Sequence, residues 1–156
     1  MQEIFGLADV LRITGLPRET LRNWSVGRGV GLRPSLSPAR GTGSRNLYST
    51  TDLYALAVAK QMADDGLRAE VIRKVVASRP DFLEKLTTRS ALLIANRAAP
   101  GRKPQICVEF YGPFPAETVT GIAQDEGLAG YYVLDIERLR QRVDAQVAQL
   151  RRKGEL

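Results

Sequence analysis

Residues 14–24 constrain the fold of this chain more than any other stretch. Gly15 relaxes a turn, and Pro17 fixes a φ angle that suits the first turn of a helix but not its interior. Leu21 and Trp24 are three residues apart and therefore share one face of a helix, whereas the polar residues of the stretch point elsewhere. The pattern predicts a helix that begins near Pro17 and is anchored through one apolar face.

A short helix is predicted ahead of this turn. Leu7, Val10 and Leu11 follow helical spacing, so this helix can brace the second one across the turn. Two helices joined in this way form a helix-turn-helix, the smallest unit that holds a helix in the major groove of DNA. We expect Trp24 to close the core of this unit rather than to stack on a base.

The charge of the sequence favours an anionic partner. The 156 residues include 23 Lys and Arg against 17 Asp and Glu, which gives a formal net charge of +6. Residues 1–50 contain seven arginines and no lysine against three acidic residues, for a local net charge of +4. Because arginine forks match phosphates and guanine edges, double-stranded DNA is the predicted partner.

The residue inventory excludes several kinds of site. Histidine is absent and Cys107 is the single cysteine, so a Cys/His zinc site, a Ser-His-Asp triad and an internal disulfide are impossible. We predict no enzyme activity, no metal and no cofactor, and a buried structural role for Cys107. No apolar run approaches the roughly 20 residues of a membrane span, and the N-terminus lacks a signal segment. These features predict a cytoplasmic protein without membrane contact, associated with the nucleoid when it binds DNA.

Residues 25–49 have the composition of a loop or hairpin, because they are dense in Gly, Pro, Ser and Arg. Directly after a candidate recognition helix, such a ribbon is typical of a wing that contacts phosphates or the minor groove. The alternative is a solvated basic loop. The wing interpretation assigns DNA contacts to four arginines: Arg28, Arg33, Arg40 and Arg45.

Two further helices are predicted after the wing. Residues 49–52 supply N-cap residues for the third helix, which Gly66 ends, and a fourth helix is predicted over residues 67–78. The apolar residues of the third helix are Leu53, Leu56, Ala59 and Met62, and those of the fourth are Ile72, Val75 and Val76. Both helices are expected to complete the core under the first pair.

The order and spacing of these motifs over residues 4–78 resemble the DNA-binding domain of the MerR family of transcriptional regulators. The resemblance rests on segments 7–10, 14–16, 20–24 and 31–32, and on Pro34, Tyr48, Ser49, Asp52, Leu53, Leu56, Gly66, Leu67 and Ile72. It implies a winged helix with the wing over the DNA backbone. The residues that it places over the major groove are Arg18, Thr20, Arg22 and Asn23, and Tyr48, which ends the wing, is also counted as DNA-binding.

Three features depart from the pattern of that family. Asn46 stands where family members usually carry an arginine, with Arg45 one residue earlier. The wing over residues 33–45 is longer than usual. The fourth helix is not followed by the long dimerisation helix of typical members.

The second half of the sequence predicts a small α/β unit instead. A helical turn is expected over residues 81–86 and a helix over residues 115–126. Strands are expected over residues 90–95, 105–111 and 130–134, where apolar, β-branched and aromatic residues concentrate. This order of elements predicts a three-stranded sheet with one crossover.

The last predicted element is an amphipathic helix over residues 135–153. Its apolar stripe follows three- and four-residue steps and spans only about two heptads, so it needs support from a partner or from the rest of the chain. We interpret it as a dimerisation helix, with packing on its own sheet as the alternative. The stripe consists of Ile136, Leu139, Val143, Val147 and Leu150.

Together these predictions describe an α+β, mostly α, chain. A winged helix-turn-helix domain occupies residues 1–79, and a small sheet unit with the C-terminal helix occupies residues 80–156. The function that they favour is sequence-specific binding of double-stranded DNA by a MerR-like transcriptional regulator, a homodimer on an inverted repeat. One alternative is a phage or mobile-element accessory protein, either excisionase-like or a packaging-recognition subunit. Another is a protein-interaction module with non-specific DNA affinity, whose C-terminal unit binds a protein partner.

Overall fold

The computed structural model of the chain describes residues 3–26, 29–36, 45–77, 80–98 and 100–156. Within them the helices are α1 (Leu7–Thr14), α2 (Arg18–Ser25), α3 (Thr50–Asp64), α4 (Ala69–Val76), α5 (Asp81–Thr88), α6 (Ala116–Asp125) and α7 (Ile136–Arg152). The strands are β1 (Ala91–Arg97), β2 (Gln105–Tyr111) and β3 (Tyr131–Asp135). The predicted α+β, mostly α, class is confirmed.

The chain forms two compact units. Met1–Leu83 and Leu139–Leu156 make the first, which we call the helical unit, and Glu84–Arg138 make the second, which we call the sheet unit. The helical unit is therefore discontinuous in sequence, because the sheet unit is inserted before most of α7. The division into domains 1–79 and 80–156 stays a prediction.

The turn between α1 and α2 forms for the reasons that the sequence supplies. Gly15 adopts a φ of 66°, a left-handed conformation that glycine tolerates, and its N–H bonds the Leu11 carbonyl that ends α1. Pro17 has a φ of −61° and immediately precedes α2. Leu21 is fully buried and Trp24 is 8% exposed, so the predicted core role of Trp24 is confirmed.

The bounds of the next three helices, α3, α4 and α5, agree only in part with the predictions. Ser49 caps α3, accepting a hydrogen bond from the Asp52 N–H. The fourth helix is shorter than predicted: it begins at Ala69, because Arg68 has an extended backbone with a ψ of 146°, and it ends at Val76. The helical turn predicted over residues 81–86 is an eight-residue helix, α5, whose Phe82 and Leu86 are fully buried one turn apart.

The sheet unit has the predicted three strands in the order β2-β1-β3, with β1 antiparallel to both neighbours. Helix α6 is the crossover, and its Val119 and Ala123 pack with Ala91 and Leu93 of β1 in one buried cluster. The prediction that Cys107 is buried is wrong in extent. Cys107 lies in β2 and is only half-buried, because β2 is an edge strand.

Most of α7 packs as part of the helical unit. All five residues of the stripe proposed for dimerisation are buried within the single chain, at 0 to 8% exposure. Two hydrogen bonds join α7 to α3: the Tyr54 hydroxyl donates to Asp144 Oδ1 at 2.7 Å, and the Arg142 guanidinium donates to Gln61 at 3.2 Å. The stripe is thus covered without a second copy, and dimerisation through it stays a prediction.

The two ends of the described helical unit are also joined. Arg12 of α1 pairs with Glu155 at 3.6 Å, and Arg151 at the end of α7 pairs with Glu3. These groups are partly exposed, so each pair stabilises the fold by at most about 1 kcal/mol. They place the C-terminal end of α7 and the residues after it beside α1 and the segment before it.

The Tyr54 bond makes the stability of the helical unit depend on pH in the alkaline range. Burial and the hydrogen bond to the Asp144 carboxylate raise the pKa of Tyr54 to about 12, from 10.0 in the unfolded chain. A raised pKa in the folded state means that the contribution of Tyr54 is complete below pH 10 and is lost as the pH rises towards 12. We expect Tyr54→Phe to be less stable than the native chain below pH 10, by about 1 kcal/mol.

Urea unfolding of both proteins across the alkaline range measures this effect. The difference in the free energy of unfolding should shrink between pH 10 and pH 12. The difference isolates Tyr54 because the other tyrosines titrate in both proteins. A difference that stays constant over this range would show that Tyr54 does not carry the effect.

No helix in the described part of the chain is long and apolar enough to cross a membrane.

Candidate nucleic-acid interface

Helix α2 is amphipathic in the way that a helix lying on a nucleic acid must be. Leu21 and Trp24 face the core, whereas Arg18 and Arg22 are exposed. The two arginines are four residues apart, so they project from the same face, about 40° apart at about 100° per residue. The structure therefore brings together the two arginines that the sequence analysis placed over the major groove.

The other two predicted groove residues lie at the margins of this face. Asn23 is half-buried, about 100° around the helix from Arg22. Thr20 is also half-buried and lies about 160° from Arg22, on nearly the opposite side. A helix that turned its arginine face to the groove would place Asn23 at the flank and Thr20 furthest from the bases.

The arginine face borders a shallow groove on the protein surface. Only some of the residues that line it were predicted from the sequence. Residues from α1, from α2 and from the segment before α3 line this groove: Leu7, Arg18, Glu19, Leu21, Arg22, Ser25, Val26, Asn46 and Tyr48. Glu19 and the 58% exposed Val26, which line the groove together with the arginines, were not predicted from the sequence. Helical periodicity alone gives their positions, but only the orientation of α2 shows which face is open.

Tyr48 anchors the end of the wing to α2. It is 1% exposed, and its main chain forms two hydrogen bonds with Phe5, at 2.9 and 3.0 Å. The Ser25 hydroxyl donates to the Leu21 carbonyl at 2.8 Å and lies 3.0 Å from the Tyr48 hydroxyl. Because Ser25 has one hydroxyl hydrogen, Tyr48 is the donor in the second bond. The Asn46 amide donates to the Tyr48 hydroxyl in turn, at 3.4 Å.

This burial has a chemical consequence for Tyr48. Loss of solvent raises the pKa of its hydroxyl above 10.0, although the hydrogen bond that it accepts from Asn46 acts in the opposite direction. Tyr48 is therefore neutral at physiological pH, and its one hydroxyl hydrogen is engaged inside the domain. The geometry suits a residue that holds the wing in place.

The beginning of the wing is anchored as well. Val30 and Leu32 are each 2% exposed, so they belong to the core. The Arg73 guanidinium of α4 donates to the Gly29 carbonyl at 2.6 Å. Two of the predicted wing arginines, Arg33 and Arg45, are exposed. The other two, Arg28 and Arg40, lie outside the described residues, as do residues 37–44 of the predicted wing.

The net positive charge of the protein lies entirely in the helical unit. By sequence, that unit contains 17 Lys and Arg against 10 Asp and Glu, a formal net charge of +7. The sheet unit contains 6 against 7, a net charge of −1. The whole positive excess thus accompanies the helix that exposes Arg18 and Arg22.

Two short helices across a glycine turn, an exposed arginine pair on the second helix and an anchored basic segment after it define a helix-turn-helix DNA-binding domain. Residues 6–79 match the family model described as MerR HTH family regulatory protein. This segment is therefore a MerR-like DNA-binding domain, as the resemblance over residues 4–78 predicted. Proteins of this family are DNA-binding regulators, and the match supports a DNA-binding transcription regulator of the MerR type. No curated protein matches the chain.

Proposed function

We propose that this protein binds specific sequences of double-stranded DNA with α2 in the major groove and thereby regulates transcription. The observation that carries this proposal is the Arg18–Arg22 pair, exposed on one face of a helix whose opposite face is fixed in the core. A recognition helix needs both properties, because base readout requires reach and also a fixed register.

The arginines on the face of α2 have the chemistry of base readout. An arginine can bond both O6 and N7 of a guanine, which is the commonest specific contact in the major groove. Glu19 lies beside them and is a matching acceptor for the amino group of cytosine. We assign Arg18 and Arg22 to base edges and Asn23 to the flank, and we keep Thr20 as a residue at the margin.

The wing supplies the contacts that do not read sequence. Arg33 and Arg45 are exposed, and with Arg28 and Arg40 they are assigned to phosphates or the minor groove. Tyr48 was predicted to contact DNA directly. Its burial and its engaged hydroxyl favour a supporting role, in which it sets the position of the wing.

A homodimer on an inverted repeat remains part of the proposal, as does a cytoplasmic location on the nucleoid. Because the α7 stripe is covered by its own chain, a dimer that used the stripe would have to displace α7 from α3. A dimer that leaves the helical unit intact would use another surface.

The sheet unit supports a second role for the chain, which is binding of a protein partner. Its net charge of −1 gives it little attraction for DNA. Its edge strands, β2 and β3, are of the kind to which another chain can add a strand. This role is compatible with DNA binding by the helical unit and with an accessory protein of a mobile element.

Selection of DNA by the purified protein tests the proposed function. Fragmented genomic DNA from the source is incubated with the full chain at near-physiological salt, and the retained fragments are sequenced. We expect discrete duplex sites that share a motif, as an inverted repeat near promoters if the protein is a dimeric regulator. A single tandem cluster at an integration or packaging locus would favour the accessory role. Retention without enrichment over bulk DNA would contradict sequence-specific binding.

A further inference from the structure

The segment 35–49 of the predicted wing begins and ends at residues that are bonded to one buried carboxylate, that of Asp52. Asp52 is 2% exposed and stands third in α3. Its Oδ2 atom accepts hydrogen bonds from the Ser35 N–H at 3.0 Å, the Ser35 hydroxyl at 2.6 Å and the Ser49 N–H at 2.8 Å. The Ser49 hydroxyl lies 3.1 Å from the same oxygen and 3.0 Å from the Ser35 hydroxyl. Both ends of the segment are therefore held at one atom.

Helix capping explains only half of this arrangement. A capping box needs reciprocal bonds between the N-cap residue and the third helical residue, and the Ser49–Asp52 pair supplies them. The two bonds from Ser35 are not part of any cap, because Ser35 precedes the helix by fifteen residues. Bonds to a buried carboxylate are also stronger than those to a neutral acceptor. Asp52 thus does more than begin α3.

The bonds that join Ser35 and Ser49 to Asp52, which we call the clamp, are also connected to the recognition helix, α2. Ser49 follows Tyr48, and the Tyr48 hydroxyl donates to Ser25 in the last turn of α2. A continuous path of bonded residues leads from the base of the wing to α2. This path connects Asp52 to α2 through Ser49 and Tyr48.

We propose that Asp52 is a positioning residue, which fixes the wing against α2 so that both engage the DNA together. This inference rests on the proposed function. Arg33 lies two residues before Ser35, and Arg45 four residues before Ser49, so the clamp limits where their guanidinium groups can reach. A wing that is fixed beforehand loses less conformational freedom on binding, and the free energy of binding is correspondingly more favourable.

The substitution Asp52→Asn tests the clamp, with Asp64→Asn as the matched control. Asp64 lies on the same helix but is exposed, where it pairs with Lys60. Both substitutions make the net charge more positive by one. Electrostatic attraction alone predicts that both variants bind DNA at least as tightly as the native chain. The proposal predicts that Asp52→Asn alone binds more weakly.

We expect Asp52→Asn to bind the selected duplex about tenfold more weakly, which corresponds to about 1.4 kcal/mol. The slope of log K against log salt should become shallower by about 1 to 2, because wing contacts to phosphates are lost. A merely structural role would lower the melting temperature but leave this slope unchanged well below it. Ser35→Ala removes only the Ser35 hydroxyl, and it should shift both quantities in the same direction by less. It serves as the test if Asp52→Asn does not fold.

Native-state hydrogen exchange provides a readout that does not need DNA. The N–H groups of Ser35 and Ser49 should exchange faster in Asp52→Asn than in Asp64→Asn. Unchanged affinity, slope and exchange in a folded Asp52→Asn would overturn the proposal. If the native chain prefers no duplex sequence, the proposed function fails, and the exchange rates alone then decide whether Asp52 holds the wing.

Discussion

Replacing Val147 by aspartate is expected to lower the free energy of unfolding by about 3–5 kcal/mol, independently of protein concentration. Val147 belongs to the α7 stripe and is 6% exposed, so the new carboxylate would be buried within the helical unit. A charge placed in such a site must either stay unpaired, take up a proton or force α7 away from the core. Each of these outcomes costs a large part of the stability of a small domain.

Ala148→Asp is the matched control, because Ala148 is the next residue on the same helix and is exposed. It introduces the same charge, and its cost should be limited to the lower helix propensity of aspartate, about 0.7 kcal/mol or less. Urea unfolding measured over a hundredfold range of concentration separates the two interpretations of α7. A midpoint that rises with concentration in the native chain would support dimerisation through the stripe. Equal stabilities of the two variants would show that the stripe is not buried.

Arg22→Ala is expected to weaken binding to the selected duplex by roughly 1–3 kcal/mol and to relax the preference at one base pair. The reason is that Arg22 is exposed on the face of α2 and its guanidinium fork matches a guanine edge. Binding is measured by titration of the selected duplex and of duplexes that carry each single base change. If Arg22 contacts only a phosphate, affinity falls uniformly over all of these sequences and the salt slope decreases by about 1.

Two variants control this experiment. Arg152→Ala removes the same charge from the exposed end of α7, and it should change affinity only through the net charge. Arg22→Lys keeps the charge at residue 22 but loses the planar fork, so it should restore general affinity without restoring the base preference. An Arg22→Ala protein that folds and binds with unchanged affinity would remove Arg22 from the interface.

The sequence predicts well those features that depend on neighbouring residues. The turn at Gly15 and the start of α2 after Pro17 follow from backbone preferences of single residues. The bounds of β2 agree with the predicted strand over residues 105–111, because its β-branched and aromatic run lies between a proline loop and Gly112. The arginine face of α2 also follows from helical periodicity.

Features that depend on distant residues were not predictable in the same way. Periodicity shows that α7 has an apolar stripe, but the same pattern serves a dimer, a sheet or the α3 surface, where Asp144 bonds Tyr54. The β-branched and aromatic composition of β2 does not distinguish an edge strand from a central one, so the burial of Cys107 was overestimated. The bonds between Ser35 and Asp52 join residues that are 17 positions apart, and neither residue type predicts the other as its partner.

The discontinuity of the helical unit has a consequence for the order in which the protein is completed. Helices α1 to α4 leave the ribosome first. The surface of α3 around Tyr54, which bonds Asp144 of α7, stays uncovered until α7 has been synthesised. Contacts between residues so far apart in sequence also close slowly, because a long loop must be ordered before they form. A chain that ended inside the sheet unit would carry the recognition helix without the helix that completes its core. Such fragments should be unstable and prone to degradation, and would therefore not compete with the finished protein for its sites on DNA.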